Sequence, residues 1–334
     1  MILVTGGTGL VGSHLLYHLL LKNDSVKAIH HNTSDLLAVK KVFAYYTSDV
    51  DDLYNKINWV EADITDIPAL EIAFKDITYV YHCAAFISFD PRDYKKMRKI
   101  NIEGTTNIVN QCILQSVNKL CFVSSIATLE KELNKKFIDE SENWDKSKDK
   151  SGYAITKYGA ENEVWRASQE GVDVVIVNPG VILGSGFWEK GSSAIFTKVK
   201  NGFPFYTNGI TGFVDVIDVV QIMQKLMLST IKNERFILVS ENISFKDLFY
   251  HIAEALHVKP PKMRVSKTWV EIIWRLEGVK SAIFRSSPLV TKHSSRSSLS
   301  TKIYSSNKIK AAIDIHFIKI DKTIQRVCKD LILK

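Results

Sequence analysis

The sequence predicts an α/β protein in which a doubly wound parallel sheet carries a smaller C-terminal cap. Apolar runs of strand length alternate with helix-length stretches from Ile2 to Gly180, as in folds whose parallel strands are joined by helices. The first run leads directly into a glycine-rich turn and a helical stretch. Beyond Pro179 the alternation loosens, which indicates that the rest of the chain forms a second, less regular unit.

Six apolar runs define the expected strands, and their length and composition are typical of buried parallel strands. They occupy residues 2–4, 25–29, 57–61, 78–82, 120–125 and 172–180. A further strand is expected at 235–239, and Phe213 to Val219 is expected to return to the sheet domain. Helices are expected after the first strand, over most of 90–115, from 153 to 168 and near 194–199. Residues 36–54 are compatible with helix or loop.

These elements suggest two units. We expect a dinucleotide-binding domain of residues 1–178 together with about 210–240, and a substrate-binding cap of residues 179–209 and 241–334. The lysine-rich stretch from Glu130 to Lys150 contains few apolar residues, so it is expected to be a surface loop that flanks the site. The sequence contains no internal repeat and no low-complexity linker.

The glycine turn has the spacing and the context of a dinucleotide-binding fingerprint, because it stands between a strand and a helix. A glycine at Gly6 or Gly7 permits a tight turn. Gly9 lets backbone N–H groups approach a pyrophosphate, and Gly12 lets the helix pack closely on the strand. The N-terminus of that helix would face the phosphates with its unpaired N–H groups. The candidate cofactor-binding residues here are Gly6, Gly9, Leu10, Val11 and Gly12.

The end of the second strand is where an acid would bind the adenosine ribose of NAD. In this sequence no acid follows the strand until Asp35. Without a carboxylate a 2′-phosphate is not repelled, and His31, Asn32 and Ser34 could bind it. The pattern favours NADP(H) over NAD(H), although the same residues could equally be loop residues that touch nothing.

Two further strand ends carry residues suited to the rest of a dinucleotide. Asp63 follows the third strand, where its side chain can reach an adenine, and Ile64 can pack against the ring. Ala84 and Ala85 follow the fourth strand and are small enough for a ligand to pass close to the backbone, although small residues also serve tight packing. Asn101 lies within a helical stretch, where asparagine is usually a cap or a surface residue. Here it is expected to break the helix near the site and to hold a water.

Hydroxyl and amine side chains follow the fifth strand. Ser124 and Ser125 stand at its carboxyl end, and that edge is where open α/β sheets bind their ligands. Tyr153 and Lys157 open the next helix and are four residues apart, so they lie on one face of it. The order of glycine turn, strand-end hydroxyls, tyrosine and lysine predicts a catalytic site better than any one of these features does.

The charge is unevenly distributed. The chain carries +8, but the segment from Pro260 onward carries +11, so the rest carries about −3. A basic tail can bind nucleic acid, a membrane surface or an anionic substrate, yet without a nucleic-acid motif a solvated basic surface is the simpler interpretation. We therefore expect no nucleic-acid partner and no membrane partner, with peripheral contact through the basic cap left open. Trp269, Ile272, Ile273 and Leu276 mark one apolar helix face, which either packs the cap, lines the substrate site or touches a membrane.

The cysteines predict a reducing compartment. Cys83, Cys112, Cys121 and Cys328 are scattered, with no C-x-x-C pair and no His/Cys metal spacing, so buried free thiols and no metal site are expected. The apolar run from Leu15 to Leu21 is too short to cross a bilayer, and no signal peptide precedes the first strand. We therefore expect a cytoplasmic protein.

A series of motifs resembles those of extended short-chain dehydrogenases/reductases, the NAD-dependent epimerase/dehydratase superfamily, close to the dihydroflavonol-reductase and 3β-hydroxysteroid-dehydrogenase branch. In family order they are TGGTGLVG, DITD, HCAA, NIEGT, VSSIAT, Tyr153-x-x-x-Lys157, NPG and FVDVIDV. They cover residues 1 to about 220. The C-terminal third resembles the family only loosely. The resemblance implies a Rossmann-type sheet with a C-terminal substrate-binding cap.

The resemblance also implies roles for the candidate catalytic residues. Tyr153 would be the general acid in reduction, or the base in oxidation, as hydride moves to or from nicotinamide C4. Lys157 would lower the pKa of that phenol towards neutral pH and bind the nicotinamide ribose. Ser125 would hold the substrate carbonyl, with Ser124 as the alternative if the register is shifted by one residue. Asn101 would complete a proton relay.

Two further expectations come from the resemblance. Pro179, Gly180 and Val181 would lie against the carboxamide of the cofactor. The helices at 102–115 and 153–168 would form the usual dimer face of the family, so a homodimer is expected.

Three functions remain compatible with these observations. The first is an NADP(H)-dependent reductase of a ketone or aldehyde, or the reverse alcohol dehydrogenase. The second is a nucleotide-sugar epimerase or dehydratase with tightly bound NAD, which the basic cap keeps open and the missing acid disfavours. The third is a cofactor-sensing or scaffold protein on the same fold. The fold alone does not identify the substrate.

Overall fold

The computed structural model describes residues 1–130, 136–142, 144–145, 149–269, 271, 274–275 and 292–333. A sheet of seven strands forms its centre, and all of its neighbouring strands pair in parallel. The strands are β1 (Ile2–Thr5), β2 (Val26–His30), β3 (Ile57–Glu61), β4 (Tyr79–His82), β5 (Lys119–Val123), β6 (Asp173–Pro179) and β10 (Glu234–Leu238). Their order across the sheet is β3-β2-β1-β4-β5-β6-β10. The predicted doubly wound, Rossmann-type fold is confirmed.

Helices cover both faces of this sheet. One face packs against α1 (Leu10–Leu20), α2 (Leu37–Phe43), α3 (Val50–Tyr54) and α9 (Val216–Leu228). The other packs against α4 (Ile67–Ala73), α6 (Gly104–Leu114) and α7 (Gly152–Gln169). Leu15, Phe43 and Met223 lie in the first core, whereas Leu70 and Val164 lie in the second. The two cores hold the strands rigidly, so their carboxyl ends form a fixed edge.

The segments after β6 build smaller sheets and a third core. β7 (Val181–Leu183), β9 (Ile210–Asp215) and β11 (Glu241–Ser244) form a three-stranded sheet, and β8 (Phe205–Tyr206) pairs with β12 (Met263–Arg264). The remaining α-helices within the described ranges are α5 (Tyr94–Met97), α8 (Ala194–Lys200), α10 (Phe245–Ala255), α11 (Lys292–Leu299), α12 (Asn307–Ala312) and α13 (Ile320–Ile332). The third core joins α8, α10 and α13 around residues such as Phe196, Leu248 and Val327.

Most strand predictions agree with the structure to within two residues, and residues 235–239 supply the seventh strand of the main sheet. The segment from Phe213 to Val219, which was expected to return to the sheet domain, is not a strand of the main sheet. Its first three residues end β9, in the three-stranded sheet, and its remainder begins α9 because Asp215 caps that helix by accepting from Ile217 N at 2.8 Å. The division of the chain into a sheet domain and a cap stays a prediction.

Other predictions meet the structure in part. Cys112, Cys121 and Cys328 are buried free thiols as expected, and Cys83 is half-buried. Residues 131–135, 143 and 146–148 of the expected surface loop lie outside the described residues, as do Ile272, Ile273 and Leu276 of the predicted apolar face. Across the described part of the chain, no helix is both long and apolar enough to span a bilayer.

Candidate functional site

Two glycines of the glycine turn lie so close to neighbouring backbone that neither could carry a side chain. Gly6 adopts a left-handed conformation with φ of 67°, and a Cβ there would lie 2.6 Å from Ala84 N. A Cβ on Gly12 would lie 2.1 Å from the carbonyl oxygen of Gly6, so α1 can pack on the turn only because that side chain is absent. The turn is therefore made by Gly6, rather than by Gly7, and Gly12 has the packing role predicted for it.

Gly9 differs from these glycines because its missing side chain leaves room. A Cβ there would meet only Gly6 O, at an ordinary 3.4 Å. Gly9 caps α1 without a side-chain hydrogen bond, and the first turn contains no acidic residue. The N–H groups of Leu10 and Val11 thus lie at a helix N-terminus whose positive end is not neutralised by a neighbouring carboxylate. This geometry suits an anionic group such as a pyrophosphate.

The end of β2 is polar and contacts the glycine turn. Thr8 Oγ1 donates to Ser34 Oγ at 3.5 Å, a long contact that joins the two loops. His31 is exposed, and its Nδ1 accepts from Thr33 N at 3.2 Å. Asp35 is the first acid after the strand, and its Oδ1 accepts from Ala38 N at 3.2 Å at the start of α2. The carboxylate of Asp35 therefore caps the start of α2. Asn32, in the same loop, is exposed.

The residues predicted to face an adenine lie at the ends of β3 and β4. The carboxylate of Asp63 accepts from the N–H and the hydroxyl of Thr65, both at 2.8 Å, so one of its oxygens is already used within its own loop. Ile64 is buried against Gly104, where a Cβ would lie 2.6 Å from Ile64 Cδ1. Ala84 lies directly beside Gly6, and Ala85 next to it is exposed.

Ser125 and Tyr153 meet at the carboxyl edge of the sheet. Ser125 begins a single 3-10 turn (Ile126–Thr128), where its Oγ accepts from Ala127 N at 3.1 Å, and it lies near enough to the phenol of Tyr153 to lower the pKa of that group. Ser124 is buried, and its hydroxyl donates to Glu161 Oε2 at 2.7 Å. Of the two serines considered from the sequence, Ser125 is the one that lies near the tyrosine.

Lys157 lies one turn beyond Tyr153 on α7, and its ammonium points to the end of β5. Its Nζ donates to Val123 O at 2.6 Å and lies 4.5 Å from the centre of the Phe122 ring. Burial lowers the pKa of Lys157 to about 8, against the opposing charge of Glu161, which raises it. The side chain thus remains mostly charged at neutral pH.

The pKa of Tyr153 moves in the direction opposite to the prediction. Burial raises it above the usual value, while the hydrogen bond with Ser125 lowers it only in part. Lys157 is not among the causes of the shift, because its ammonium is directed at Val123 O and Phe122. The expectation that the neighbouring amine makes this phenol acidic is therefore wrong for the structure as it stands, and the phenol is protonated at neutral pH.

Asn101 breaks the regular helix, as predicted, within a π-helical stretch (Arg98–Glu103). Its Oδ1 accepts from Phe86 N at 2.7 Å, and its Nδ2 donates to Phe86 O at 3.0 Å and to Thr156 Oγ1 at 3.1 Å. The amide is thus engaged with the loop after β4 and with α7. Its side chain fastens the loop to α7, and because Oδ1 has a second lone pair, the expected water contact stays a prediction.

A buried histidine that the sequence interpretation gave no role lies between the glycine turn and Asn101. Thr105 donates to Asn101 O at 2.6 Å, so its oxygen accepts from His82 Nε2 at 2.9 Å. His82 Nδ1 then accepts from Thr5 Oγ1 at 2.6 Å, and Thr5 in turn accepts from Ala84 N at 3.2 Å. Burial lowers the pKa of His82 to about 3, so the ring is neutral. The sequence feature that could have identified His82 as a site residue is its position at the end of β4.

Three further predicted residues follow β6. Pro179 ends the strand, and Gly180 donates to Leu238 O at 2.9 Å. A Cβ on Gly180 would lie 2.4 Å from Gly212 O, which explains the glycine by packing alone. Val181 begins β7 and pairs with Phe213. These residues lie at the same edge of the sheet as Ser125, since β5 and β6 are neighbours.

Comparison with known proteins is consistent with this architecture. A curated relative named "Putative dihydroflavonol 4-reductase", from Synechocystis sp., is 29% identical over 294 residues, covering 85% of this chain and 80% of that protein. UDP-glucose 4-epimerase of Vibrio cholerae is 28% identical over 215 residues, covering 63% and 60%. The structure of Thermus thermophilus UDP-glucose 4-epimerase complexed with NAD superimposes with a TM-score of 0.74 at 19% identity, covering 98% of each chain. That last similarity concerns the fold.

The sequence also matches one protein family over most of its length. The match runs from residue 2 to residue 238, which takes in the glycine turn, the seven-stranded sheet and the tyrosine–lysine helix. On this evidence the chain belongs to the NAD-dependent epimerase/dehydratase family.

Proposed function

We propose that the protein is an NADP(H)-dependent oxidoreductase that reduces a ketone or aldehyde to an alcohol, using Ser125, Tyr153 and Lys157. The observation that carries the proposal is the placement of Ser125 at the end of β5 and of Tyr153 and Lys157 one turn apart on α7, with the ammonium of Lys157 bound to the end of β5. The three side chains stand at the carboxyl edge of a parallel sheet, beside the glycine turn. A proton donor, a hydroxyl that can hold a carbonyl oxygen and a cation are the groups this reaction needs.

The residues present fit a pyridine dinucleotide. Gly9 leaves open space at the N-terminus of α1, and the first turn of that helix carries no acidic residue. Leu10, Val11 and Gly12 would bind the pyrophosphate through backbone N–H groups. Asp63, Ile64, Ala84 and Ala85 would line the adenosine side, and Pro179, Gly180 and Val181 the carboxamide side. When bound, the nicotinamide supplies or accepts the hydride.

The protonation states favour the reductive direction. Because burial raises the pKa of Tyr153, its phenol holds a proton at neutral pH and can donate it to a carbonyl oxygen as the carbon is reduced. Ser125 would orient that oxygen through its hydroxyl. The charged ammonium of Lys157, one turn along the same helix, would stabilise the phenolate that remains. Asn101 and Thr156 hold the loop and the helix on either side of this proton path.

The preference for NADP(H) rests on the loop after β2. Asp35, the first acid in that loop, is occupied at the start of α2, whereas His31, Asn32 and Ser34 could contact a 2′-phosphate. A neutral or cationic environment there removes the repulsion that a carboxylate would exert on this phosphate. The proposal therefore includes His31 and Asn32 among the cofactor-binding residues.

The substrate side of the phenol is apolar. The Phe89 ring lies 5.9 Å from the Tyr153 ring at an angle of 59°, and about half of the Phe89 side chain is exposed. Its loop is held locally, because Ser88 Oγ donates to Asp93 Oδ2 at 2.6 Å and accepts from Asp90 N at 3.1 Å. An exposed phenylalanine on a braced loop beside the proton donor favours a carbonyl compound with an apolar group.

The other parts of the proposal concern assembly and location. We propose a homodimer formed through the faces of α6 and α7, where Leu114 and Ile155 are exposed. A reducing compartment such as the cytoplasm suits the four free thiols.

One experiment separates this function from a nucleotide-sugar epimerase with tightly bound NAD. Purified protein is titrated with NADPH and NADH by nucleotide fluorescence, then assayed with apolar ketones and aldehydes and with UDP-glucose. We expect tighter binding of NADPH and stoichiometric oxidation of NADPH by a carbonyl compound. Conversion of the UDP-sugar without net nucleotide oxidation would establish the epimerase instead. Lack of affinity for both nucleotides, in protein that carries no bound NAD, would overturn both functions.

A further inference from the structure

Glu161 is a buried carboxylate on α7, the helix that carries Tyr153 and Lys157. Glu161 is one turn beyond Lys157 on α7 and is 1% exposed. Its Oε2 accepts from Ser124 Oγ at 2.7 Å, from Thr128 Oγ1 at 3.1 Å and from Asn178 Nδ2 at 3.1 Å. One oxygen of Glu161 thus joins the ends of β5 and β6 to the catalytic helix.

The same donors hold the backbone of Ser125. The carbonyl oxygen of Ser125 accepts from Asn178 Nδ2 at 3.2 Å and lies 2.9 Å from Thr128 Oγ1, whose single proton it shares with Glu161 Oε2. Glu161 therefore orients the groups that fix Ser125, and Ser125 lies near Tyr153. A displacement of this carboxylate would alter the placement of the serine beside the tyrosine without touching either side chain.

The second oxygen of Glu161 pairs with Arg235 on β10. Arg235 Nη1 lies 3.2 Å from Glu161 Oε1. The remaining donors of the guanidinium bind the loop of residues 138–142. Nε and Nη2 donate to Glu140 O at 3.0 and 2.6 Å, and Nη2 also donates to Glu142 O at 2.8 Å. This guanidinium thus connects the buried carboxylate to residues 138–142, which belong to the stretch that the sequence predicts to flank the site.

Glu161 also balances the charge of Lys157. The groups that face the ammonium from the sheet are Val123 O and the Phe122 ring on β5 and, from the end of β4, His82 and Cys83. His82 is neutral at physiological pH, and burial raises the pKa of the Cys83 thiol to about 12. Glu161 lies one turn further along α7 than Lys157 and carries the opposite charge, so it offsets part of the cost of burying this cation.

We propose that Glu161 is a positioning residue that fixes the backbone of Ser125 beside Tyr153, and that Arg235 ties it to the loop of residues 138–142. The kinetic part of this proposal rests on the proposed function. The charge coupling between Glu161 and Lys157, which follows from the same placement of the carboxylate, does not, and it is measured separately.

The first test is the substitution Glu161→Gln, which keeps the shape and removes the charge. Titration of the ¹³Cε signal of Lys157 by NMR, assigned from its absence in Lys157→Arg, reports the protonation of this lysine without any reaction. We expect the midpoint in Glu161→Gln to fall by about one pH unit, since an opposite charge within a few ångströms has been removed. Glu163→Gln is the matched control, because Glu163 lies on the same helix and pairs with Arg166 at 3.0 Å. An unchanged midpoint in Glu161→Gln would overturn the proposal.

The kinetic readout distinguishes positioning from simple loss of stability. For NADPH-linked reduction, we expect Glu161→Gln to lower kcat at pH 8 about tenfold, with the alkaline limb of the pH profile moved to lower pH and the KM for NADPH nearly unchanged. A fall in activity that only follows a fall in Tm, with an unshifted profile, would contradict it. If the wild-type protein turns over no carbonyl compound, the proposed function fails while the NMR titration still decides the coupling.

Arg235→Gln provides a second variant, which should shift the titration midpoint of Lys157 in the opposite direction. Removing the guanidinium leaves the charge of Glu161 less neutralised, so the midpoint of Lys157 should move to higher pH. The loop of residues 138–142 loses its anchor at the same time, and the KM for the carbonyl substrate should rise. Should Glu161→Gln fail to fold, this variant decides, and an unchanged or lowered midpoint would count against the proposal.

Discussion

Gly12 lies so close to the turn before it that a Cβ on this residue would stand 2.1 Å from the carbonyl oxygen of Gly6. Gly12→Ala should therefore push α1 off the turn and lower the free energy of unfolding by at least about 2 kcal/mol, measured by urea denaturation. Gly9→Ala is the matched control, because its Cβ would meet only ordinary contacts. We expect it to fold normally but to bind NADPH more weakly. A Gly12→Ala protein of wild-type stability would contradict the packing role.

Much of this fold follows from local patterns in the sequence. The strands up to β6 are apolar runs that alternate with helix-length stretches, so a doubly wound parallel sheet could be predicted. The segment from Phe213 to Val219 could not, because its apolar residues suit a strand and a helix equally. Asp215 decides between them by capping α9, and that effect depends on a contact rather than on periodicity.

Tyr153→Phe removes the proposed proton donor while preserving the ring that contacts Phe89. We expect kcat for carbonyl reduction to fall by about a thousandfold, within the range for loss of a general acid, with the affinity for NADPH retained. Tyr158→Phe serves as the control, since Tyr158 lies on the same helix and stacks on Trp144 with ring centres 4.2 Å apart. Unchanged turnover in Tyr153→Phe would refute the assignment. Loss of nucleotide binding would indicate a different role for the phenol.

The site residues that could be predicted are those that stand at the ends of strands and helices, because the sequence marks these ends. Tyr153, Lys157 and Ser125 lie at strand and helix ends, which the sequence marks. The direction of the Lys157 ammonium was not predictable, because it is set by Val123 O, a backbone group with no sequence signature. The same holds for Glu161, whose partners come from three separate elements brought together only by the fold.

Phe89→Ala tests whether the exposed phenylalanine contributes to the substrate site. We expect the KM for carbonyl compounds with an aromatic group to rise about tenfold, since burying such a ring contributes on the order of 1.5 kcal/mol or more. The affinity for NADPH should not change. Phe203→Ala is a suitable control, because that ring is also partly exposed and packs on Phe205 and Phe249. Equal effects of the two substitutions on KM would argue against a specific role for Phe89.

The neutral His82 predicts a defined loss of stability in acid. The pKa of His82 is about 3 in the folded protein, against 6.5 for an ordinary histidine, so the unfolded chain binds more protons between these values. Stability is complete above pH 6.5 and is lost as the pH falls towards 3. From pH 7.5 to 5.0 the contribution of this residue is about 2 kcal/mol. Urea denaturation at the two pH values should show that the loss is smaller by this amount in His82→Gln and unchanged in His316→Gln, an exposed control. An identical loss in His82→Gln would show that the ring is charged in the folded state.

Arg326→Met tests how α13 is held against the rest of the molecule. Arg326 Nη2 donates to both oxygens of Asp215 at 2.8 Å, and Asp215 is fully buried. Among the described residues, removing the cation leaves this buried carboxylate supported by Thr323 and Ile217, so we expect the free energy of unfolding to fall by about 3 kcal/mol. Lys322→Met, an exposed position on the same helix, should change it by less than about 0.5 kcal/mol. The double variant Asp215→Asn/Arg326→Met should recover part of the loss, because the unpaired charge is then gone. If the double variant is no more stable than Arg326→Met, the loss arises from packing of the arginine side chain rather than from the ion pair.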